Sequence, residues 1–183
     1  MFLRDTEIRP AEEVFVRKNL LGRHRVLDLG CGFGVWAPVV TSQGSEYLGV
    51  DAERRRTDYA NLHYKSASAS FVCADCRYFV PTHPPDAVLL VTVLQHMLLP
   101  DAVAVLQNTV KWLSPQSSIV LVEASLLEVD EKECNALYAK DDWPEHLVPK
   151  PLSVLRAATP HRAWQMYDHD KFVILQRTGA RAI

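Results

Sequence analysis

Along this chain, short continuous apolar runs alternate with stretches in which apolar residues recur every three or four positions. Val26, Leu27 and Leu29 form a run suited to a strand buried on both faces of a parallel sheet, and it stops where Gly30, Gly32 and Gly34 begin. Before it, Pro10 followed by Ala11, Glu12 and Glu13 predicts a helix start, with acidic residues against the positive end of the helix dipole; this helix runs to about Leu21 and Gly22 ends it. After it, Val35 to about Thr41 predicts the first crossover helix, with Trp36 as a packing residue in its first turn. Pro100-Asp101 opens a further helix in which Val103, Leu106, Val110 and Leu113 share one face, whereas Pro81, Pro84 and Pro85 exclude a long helix from Cys76 to Pro85. Strand and crossover alternate from Val26 to Glu123, which predicts an α/β fold: a parallel sheet with helices on both sides and right-handed crossovers.

Beyond Glu123 the pattern changes. Residues 124 to 151 hold a predicted helix over Asp130 to Lys140 and an irregular stretch through Trp143, Glu145 and His146, placed on the binding side of an open α/β sheet. A short helix, Leu152 to Ala158, precedes two apolar-rich runs, Arg162 to Asp168 and Phe172 to Thr178, which read as a hairpin about Asp168-His169-Asp170.

The glycines carry the first chemistry. Residues without Cβ take positive φ and let a ligand lie against the backbone, and the helix that follows presents unpaired N–H groups. Val35 stands where the dinucleotide fingerprint has its third glycine, which weakens a pyrophosphate fit and favours a different nucleotide.

Val26 to Trp36 resembles the first motif of the class I S-adenosylmethionine-dependent methyltransferases. In that family a second strand ends in an acid that takes the ribose hydroxyls, matched by Tyr47-Leu48-Gly49-Val50-Asp51, with Asp51 lying 21 residues after Gly30. A third strand ends in an acid near the adenine, matched by Phe71-Val72-Cys73-Ala74-Asp75, and a fourth strand with its exit runs from Asp86 to His96. Trp112-Leu113-Ser114-Pro115-Gln116 leads into the fifth, Ile119 to Glu123, without the two glycines the family usually has in that turn. The resemblance covers about residues 23 to 123 plus the hairpin, and five motifs in order carry it. It implies a three-layer Rossmann-like fold: a mostly parallel seven-stranded sheet with an antiparallel C-terminal hairpin, one domain over residues 1–183. It also implies S-adenosyl-L-methionine as cofactor and S-adenosyl-L-homocysteine as product. The cofactor contacts it implies are Asp28, Gly30, Cys31, Gly32, Gly34, Asp51, Ala52, Asp75, Cys76 and Thr92, with Arg17 or Lys18 meeting the methionine carboxylate; the other reading of Arg17 is a solvated charge on an amphipathic helix.

The length is about that of one domain. A net charge of −2 and a pI near 6.4 give no general pull toward nucleic acid or an anionic membrane, so nucleic acid is disfavoured as a partner. No apolar run approaches the roughly 20 residues that span a bilayer. Arg4, Asp5, Glu7 and Arg9 interrupt any signal-peptide core, so a cytoplasmic protein is expected, as a monomer or homodimer. Among Cys31, Cys73, Cys76 and Cys134 the only close pair is Cys73-x-x-Cys76, with no second pair to complete a zinc site and no H-x-x-x-H spacing, so no metal is expected.

Methyl transfer from a sulfonium requires a nucleophile held within about 3–3.5 Å of the methyl carbon, with water excluded. A hydroxyl or ammonium acceptor must also lose a proton to a base. Gln95 and His96 lie just past the fourth strand, where acceptors sit in similar enzymes, and an imidazole suits the role of base. The other reading of His96 is packing and loop geometry, because it matches a Leu-x-His-Leu/Met stretch common in the family. Tyr138, Trp143 and His146, with Glu145, form a second acceptor set that could cage an amine or ammonium. The leading reading is methyl transfer to a small-molecule oxygen or nitrogen nucleophile, followed by a peptide or protein amine acceptor. Two other classes are a catalytically silent methyltransferase-like binding subunit, opposed by the intact Gly30, Gly32, Gly34 and Asp51, and a nicotinamide-dependent oxidoreductase, opposed by Val35 and Asp75.

Overall fold

Strands that are apolar at every position need cover on both faces, and in a computed structural model of the chain that cover is two helical layers. The described residues are 7–123, 126–127, 130–139, 150–167 and 172–177. They hold α1 (Pro10–Leu20), β1 (Arg25–Leu29), α2 (Trp36–Thr41), β2 (Glu46–Asp51), α3 (Arg54–Tyr64), β3 (Ala69–Cys73), β4 (Ala87–Val91), α4 (Leu99–Trp112) and β5 (Ser118–Val122). After these come β6 (Leu126–Leu127), α5 (Glu131–Ala139), β7 (Lys150–Pro151), α6 (Leu152–Ala158), β8 (Arg162–Tyr167) and β9 (Phe172–Arg177).

Seven strands form one sheet in the order β3-β2-β1-β4-β5-β9-β8. The first five are parallel, and β9 runs antiparallel to both β5 and β8. A period of two is hidden inside the apolar runs: Leu27, Leu29, Val88, Leu90, Ile119 and Leu121 face α4 and α6, while Val26, Leu89 and Val120 face α1 and α2. The helix after Pro100 buries Leu106 and packs Val103, Val110 and Leu113 against the first of these layers, as its spacing predicts. Strand order reverses between β1 and β4, so the turns leaving them part to opposite sides and open a crevice at the carboxyl ends of the strands.

One element has no counterpart in the sequence pattern. β6 and β7 form a two-residue parallel ladder, Leu126 against Lys150 and Leu127 against Pro151. It ties together the two ends of the excursion after β5, and two residues are too few to show any periodicity.

Gly34 shows how tightly the first turn is docked. It sits at φ +79°, and a Cβ there would lie 2.6 Å from Phe71 Cε1 and 2.8 Å from the Ala60 methyl. Gly34→Ala combines a left-handed backbone penalty of about 1–2 kcal/mol with overpacking of about 1–3 kcal/mol. Urea unfolding should therefore show a loss of at least about 2 kcal/mol, and a variant as stable as wild type would mean that the turn does not rest on α3 and β3.

Candidate active site

β1 and β2 end side by side, and the turn leaving β1 is fastened to the end of β2. Gly30 and Cys31 both donate to the Val50 carbonyl, at 2.7 and 3.0 Å. Gly32 donates to Asp51 Oδ2 at 2.9 Å, and Asp51 Oδ1 accepts the Glu53 N–H at 2.8 Å. Each carboxylate oxygen has a second lone pair, so Asp51 is fixed by the backbone and can still accept from two neighbouring hydroxyls. A Cβ on Gly30 would come within 2.5 Å of a Val93 methyl, so packing alone demands that glycine. Gly32 differs: at φ +55° its Cβ would meet nothing within 4 Å. It presents bare backbone to open space beside Asp51, which fits a nucleoside lying across the turn.

Beneath the turn Asp28 is 1% exposed, and its Oδ2 accepts the Tyr47 hydroxyl at 2.5 Å. Burial pushes the Asp28 carboxyl up to about 7; the Tyr47 bond opposes the rise and the Asp51 charge adds to it. Burial, then the charges of Asp28 and Asp51, push the Cys31 thiol up, so it stays a neutral filler. Asp28 thus lies below the surface the glycines expose, and its contribution to the site is the field it sets up.

At the end of β3 the chain turns on Asp75. Its Oδ1 accepts the Arg77 N–H at 2.9 Å, and the Arg77 guanidinium grips both oxygens, Nε at 3.0 Å to each and Nη2 at 2.5 Å to Oδ2. Arg77 Nη1 also reaches Asp101 in the first turn of α4 at 3.2 Å. These bonds from Arg77 hold the Asp75 carboxyl below its ordinary range against partial desolvation. An adenine amino group meeting Asp75 must therefore share it with Arg77. Neighbouring Cys76 is buried, which pushes its thiol up to about 11.

The exit of β4 is strained and then clamped. Thr92 has φ 55°, a left-handed conformation that costs a β-branched residue about 1–3 kcal/mol, and its N–H donates to the Val122 carbonyl at 2.7 Å. The next three N–H groups converge on Glu123 at the end of β5: Val93 at 2.8 Å and Leu94 at 2.7 Å to Oε1, Gln95 at 3.1 Å to Oε2. Glu123 is 1% exposed; burial pushes its carboxyl up to about 7, against the three backbone bonds and the positive charge of Lys150. The clamped segment continues as a single 3-10 turn, Leu94–His96, in which Gln95 is buried, His96 is exposed, and their Nε2 atoms lie 3.2 Å apart.

The structure thus gathers Gly30, Cys31, Gly32, Gly34, Asp51, Ala52, Asp75, Cys76, Thr92, Gln95 and His96 on the turns leaving β1 to β4. It does not bring Arg17 there. The Arg17 guanidinium bonds Glu13 at 2.7 Å, Ser42 Oγ at 2.9 Å and the Val39 carbonyl at 3.4 Å, clamping α1 to the end of α2 remote from the glycines. An acid one helical turn away is a nearer partner than a ligand carboxylate. Tyr138 lies in the last turn of α5, and Trp143 and His146 fall outside the described residues. Among the described residues no three His, Cys, Asp or Glu side chains come together as a metal site would require. A cavity of about 340 Å³ opens at the opposite ends of the strands, beside Arg25, Glu46, Ser68 and His83, away from every expected site residue.

Three residues that shape this site carried no role in the sequence reading: Tyr47, Arg77 and Glu123. For Glu123 a signal existed, an acid closing an apolar strand. For Arg77 it was the Asp-x-Arg spacing after β3.

Residues 26–116 match the family described as a methyltransferase domain. The ubiquinone biosynthesis O-methyltransferase of Bradyrhizobium diazoefficiens is 28% identical over 122 residues, 66% of this chain and 47% of that protein. The chain spans about half the length of the curated relatives it matches, or less. Among solved structures, the PH0226 protein of Pyrococcus horikoshii OT3 superposes with a TM-score of 0.73 at 16% identity, covering 97% of both chains. S-adenosylmethionine-bound CalS10, an amino pentose methyltransferase from Micromonospora echinaspora, gives 0.73 at 14% identity over 96% of this chain and 94% of its own. These likenesses share the fold, with its seven-stranded mixed sheet.

Two outcomes follow from this geometry. Gly32→Ala meets no protein atom, so it should cost only the left-handed backbone penalty, about 1–2 kcal/mol in urea unfolding, while lowering S-adenosylhomocysteine affinity at least tenfold by calorimetry; unchanged affinity would move the ligand off this turn. Asp28 gives a pH signature. Its pKa is raised on folding from 3.8 to about 7, so the folded chain holds a proton that the unfolded chain releases. Asp28 therefore lowers stability progressively as pH rises through that window, and fully above it. Asp28→Asn keeps an oxygen for Tyr47 without the charge, so its melting temperature should exceed wild type by a margin that widens between pH of about 5 and about 8. A margin independent of pH would show that Asp28 does not titrate there.

Proposed function

We infer that this chain, which belongs to the class I S-adenosylmethionine-dependent methyltransferases, transfers a methyl group from S-adenosylmethionine to an oxygen or nitrogen of a small molecule. One observation carries the reading. The bare Gly32 backbone, the anchored Asp51 carboxylate and the clamped Gln95–His96 turn all stand at the carboxyl ends of adjacent strands, around the point where the sheet order reverses.

S-adenosylmethionine, when bound, supplies a methyl on a sulfonium that is its own leaving group. The protein's part is binding, alignment and proton removal. Asp51 accepts the ribose hydroxyls on the lone pairs its backbone bonds leave open. Asp75, shared with Arg77, and Cys76 meet the adenine; Gly30, Cys31, Gly32, Gly34, Ala52 and Thr92 line the path between. Gln95 orients the acceptor, and His96, exposed beside it, takes the proton of a hydroxyl or ammonium. A small acceptor is supported by relatives such as a ubiquinone biosynthesis O-methyltransferase and an amino pentose methyltransferase.

The test is calorimetric titration with S-adenosylhomocysteine and with NADH, followed by transfer of labelled methyl to a panel of phenols, catechols, amino sugars and a lysine-containing peptide. Binding of the first alone, with label on a small acceptor, is the expected result. Binding of NADH alone sinks the reading, and label on the peptide alone replaces the acceptor class. Asp51→Ala removes charge-assisted bonds worth about 1.5–3 kcal/mol each, so S-adenosylhomocysteine affinity should fall about tenfold or more; a folded variant of unchanged affinity would refute the ribose assignment.

A further inference from the structure

Lys150 is buried completely, at 0% exposure, whereas the other lysines among the described residues, Lys18, Lys65, Lys111 and Lys132, are exposed. A lysine so placed demands a compensating charge, because an unpaired ammonium in a dry interior is prohibitively costly. The ladder explains its location: Lys150 is the register partner of Leu126, only three residues beyond Glu123, and its charge is felt at the Glu123 carboxylate. Glu123 in turn accepts three consecutive N–H groups, more than the single acceptor oxygen of an amide could share well.

We propose that Lys150 and Glu123 are positioning residues for methyl transfer: the buried lysine keeps Glu123 in place as a carboxylate, Glu123 holds residues 93–95, and through them the Gln95–His96 turn keeps one orientation toward the acceptor. Because Lys150 ends the excursion that leaves β5 and pairs in register with Leu126, its charge also links that segment to Glu123 and so to the turn. A buried charge pair is weak as a source of stability and is often replaceable by apolar residues without loss; what it enforces is a geometry. The proposal rests on the reading of Gln95 and His96 as acceptor-side residues, and its test separates the two.

The variants are Lys150→Met, Glu123→Gln and their combination. Amide hydrogen exchange on the protein without cofactor is read first. In each variant the N–H groups of Val93, Leu94 and Gln95 should exchange at least tenfold faster, with β1 and the glycine turn unchanged. S-adenosylhomocysteine affinity should stay within threefold of wild type. On the acceptor that wild type methylates best in the panel above, kcat should fall tenfold or more, with a smaller change in KM. The combined variant leaves neither Lys150 nor Glu123 as an uncompensated charge, so its melting temperature should recover toward wild type while kcat stays low. Recovery of both together would show a purely structural role and overturn the proposal, as would unchanged exchange at residues 93–95, or faster exchange throughout the sheet in all three variants. If wild type binds S-adenosylhomocysteine but methylates nothing, the functional reading fails by itself, and the exchange pattern still decides whether Lys150 and Glu123 hold the turn.

Discussion

A parallel strand that ends in a turn leaves backbone N–H groups without ladder partners, and at the carboxyl edge of this sheet acids from the strand ends take them up. Asp51 at the end of β2 accepts Gly32 and Glu53, Asp75 after β3 accepts Arg77, and Glu123 after β5 accepts Val93, Leu94 and Gln95. Two of these acids pose a turn that belongs to another strand, so the site's geometry is inherited from strand register. A slip of one residue would point each acid to the opposite face of the sheet and leave the turns unheld. Each N–H left buried without an acceptor would cost about 1–3 kcal/mol.

The same arrangement concentrates negative charge where water is scarce. Asp28 and Glu123 are both pushed up to about 7 by burial, and Asp51 adds its charge to the rise at Asp28. Asp75, by contrast, is held low, because Arg77 is bonded directly to it. A cation placed beside Asp28 would oppose that rise, because an opposite charge nearby stabilises the ionised carboxylate. Tyr47, whose hydroxyl is itself pushed well above its ordinary value by burial, then by Asp28, serves as a fixed donor within that field.

The glycines near the turn serve different ends. Gly30 makes room for Val93, so the exits of β1 and β4 can lie against one another; Gly34 makes room for Phe71 and Ala60; Gly49, inside β2, makes room for Phe71 and Cys31. These three satisfy the protein's own packing. Gly32 alone among the glycines of the turn faces open space. A glycine motif that looks uniform in sequence is thus divided between internal fit and ligand approach, and the fit comes first, because the ligand surface exists only once Val93 and Phe71 are seated.

Apart from β6 and β7, the order of elements from α1 to β9 was legible without coordinates, because apolar runs, helical spacing and proline or glycine boundaries are local. So were the positions of Asp51 and the glycine turn at the exits of β2 and β1, since an apolar run that stops at an acid or at glycines marks the end of a strand. The commitments of individual side chains were not legible. Arg17 chooses Glu13 and Ser42 over the cofactor end, and Arg77 occupies Asp75, because the nearest partner in space wins and sequence does not state distance. The β6–β7 ladder, the burial of Lys150 and the three-fold clamp of Glu123 join residues 93, 123, 126 and 150. Their relation exists only after the sheet has brought β4 beside β5 and the chain has returned from its excursion, so tertiary structure alone decided it.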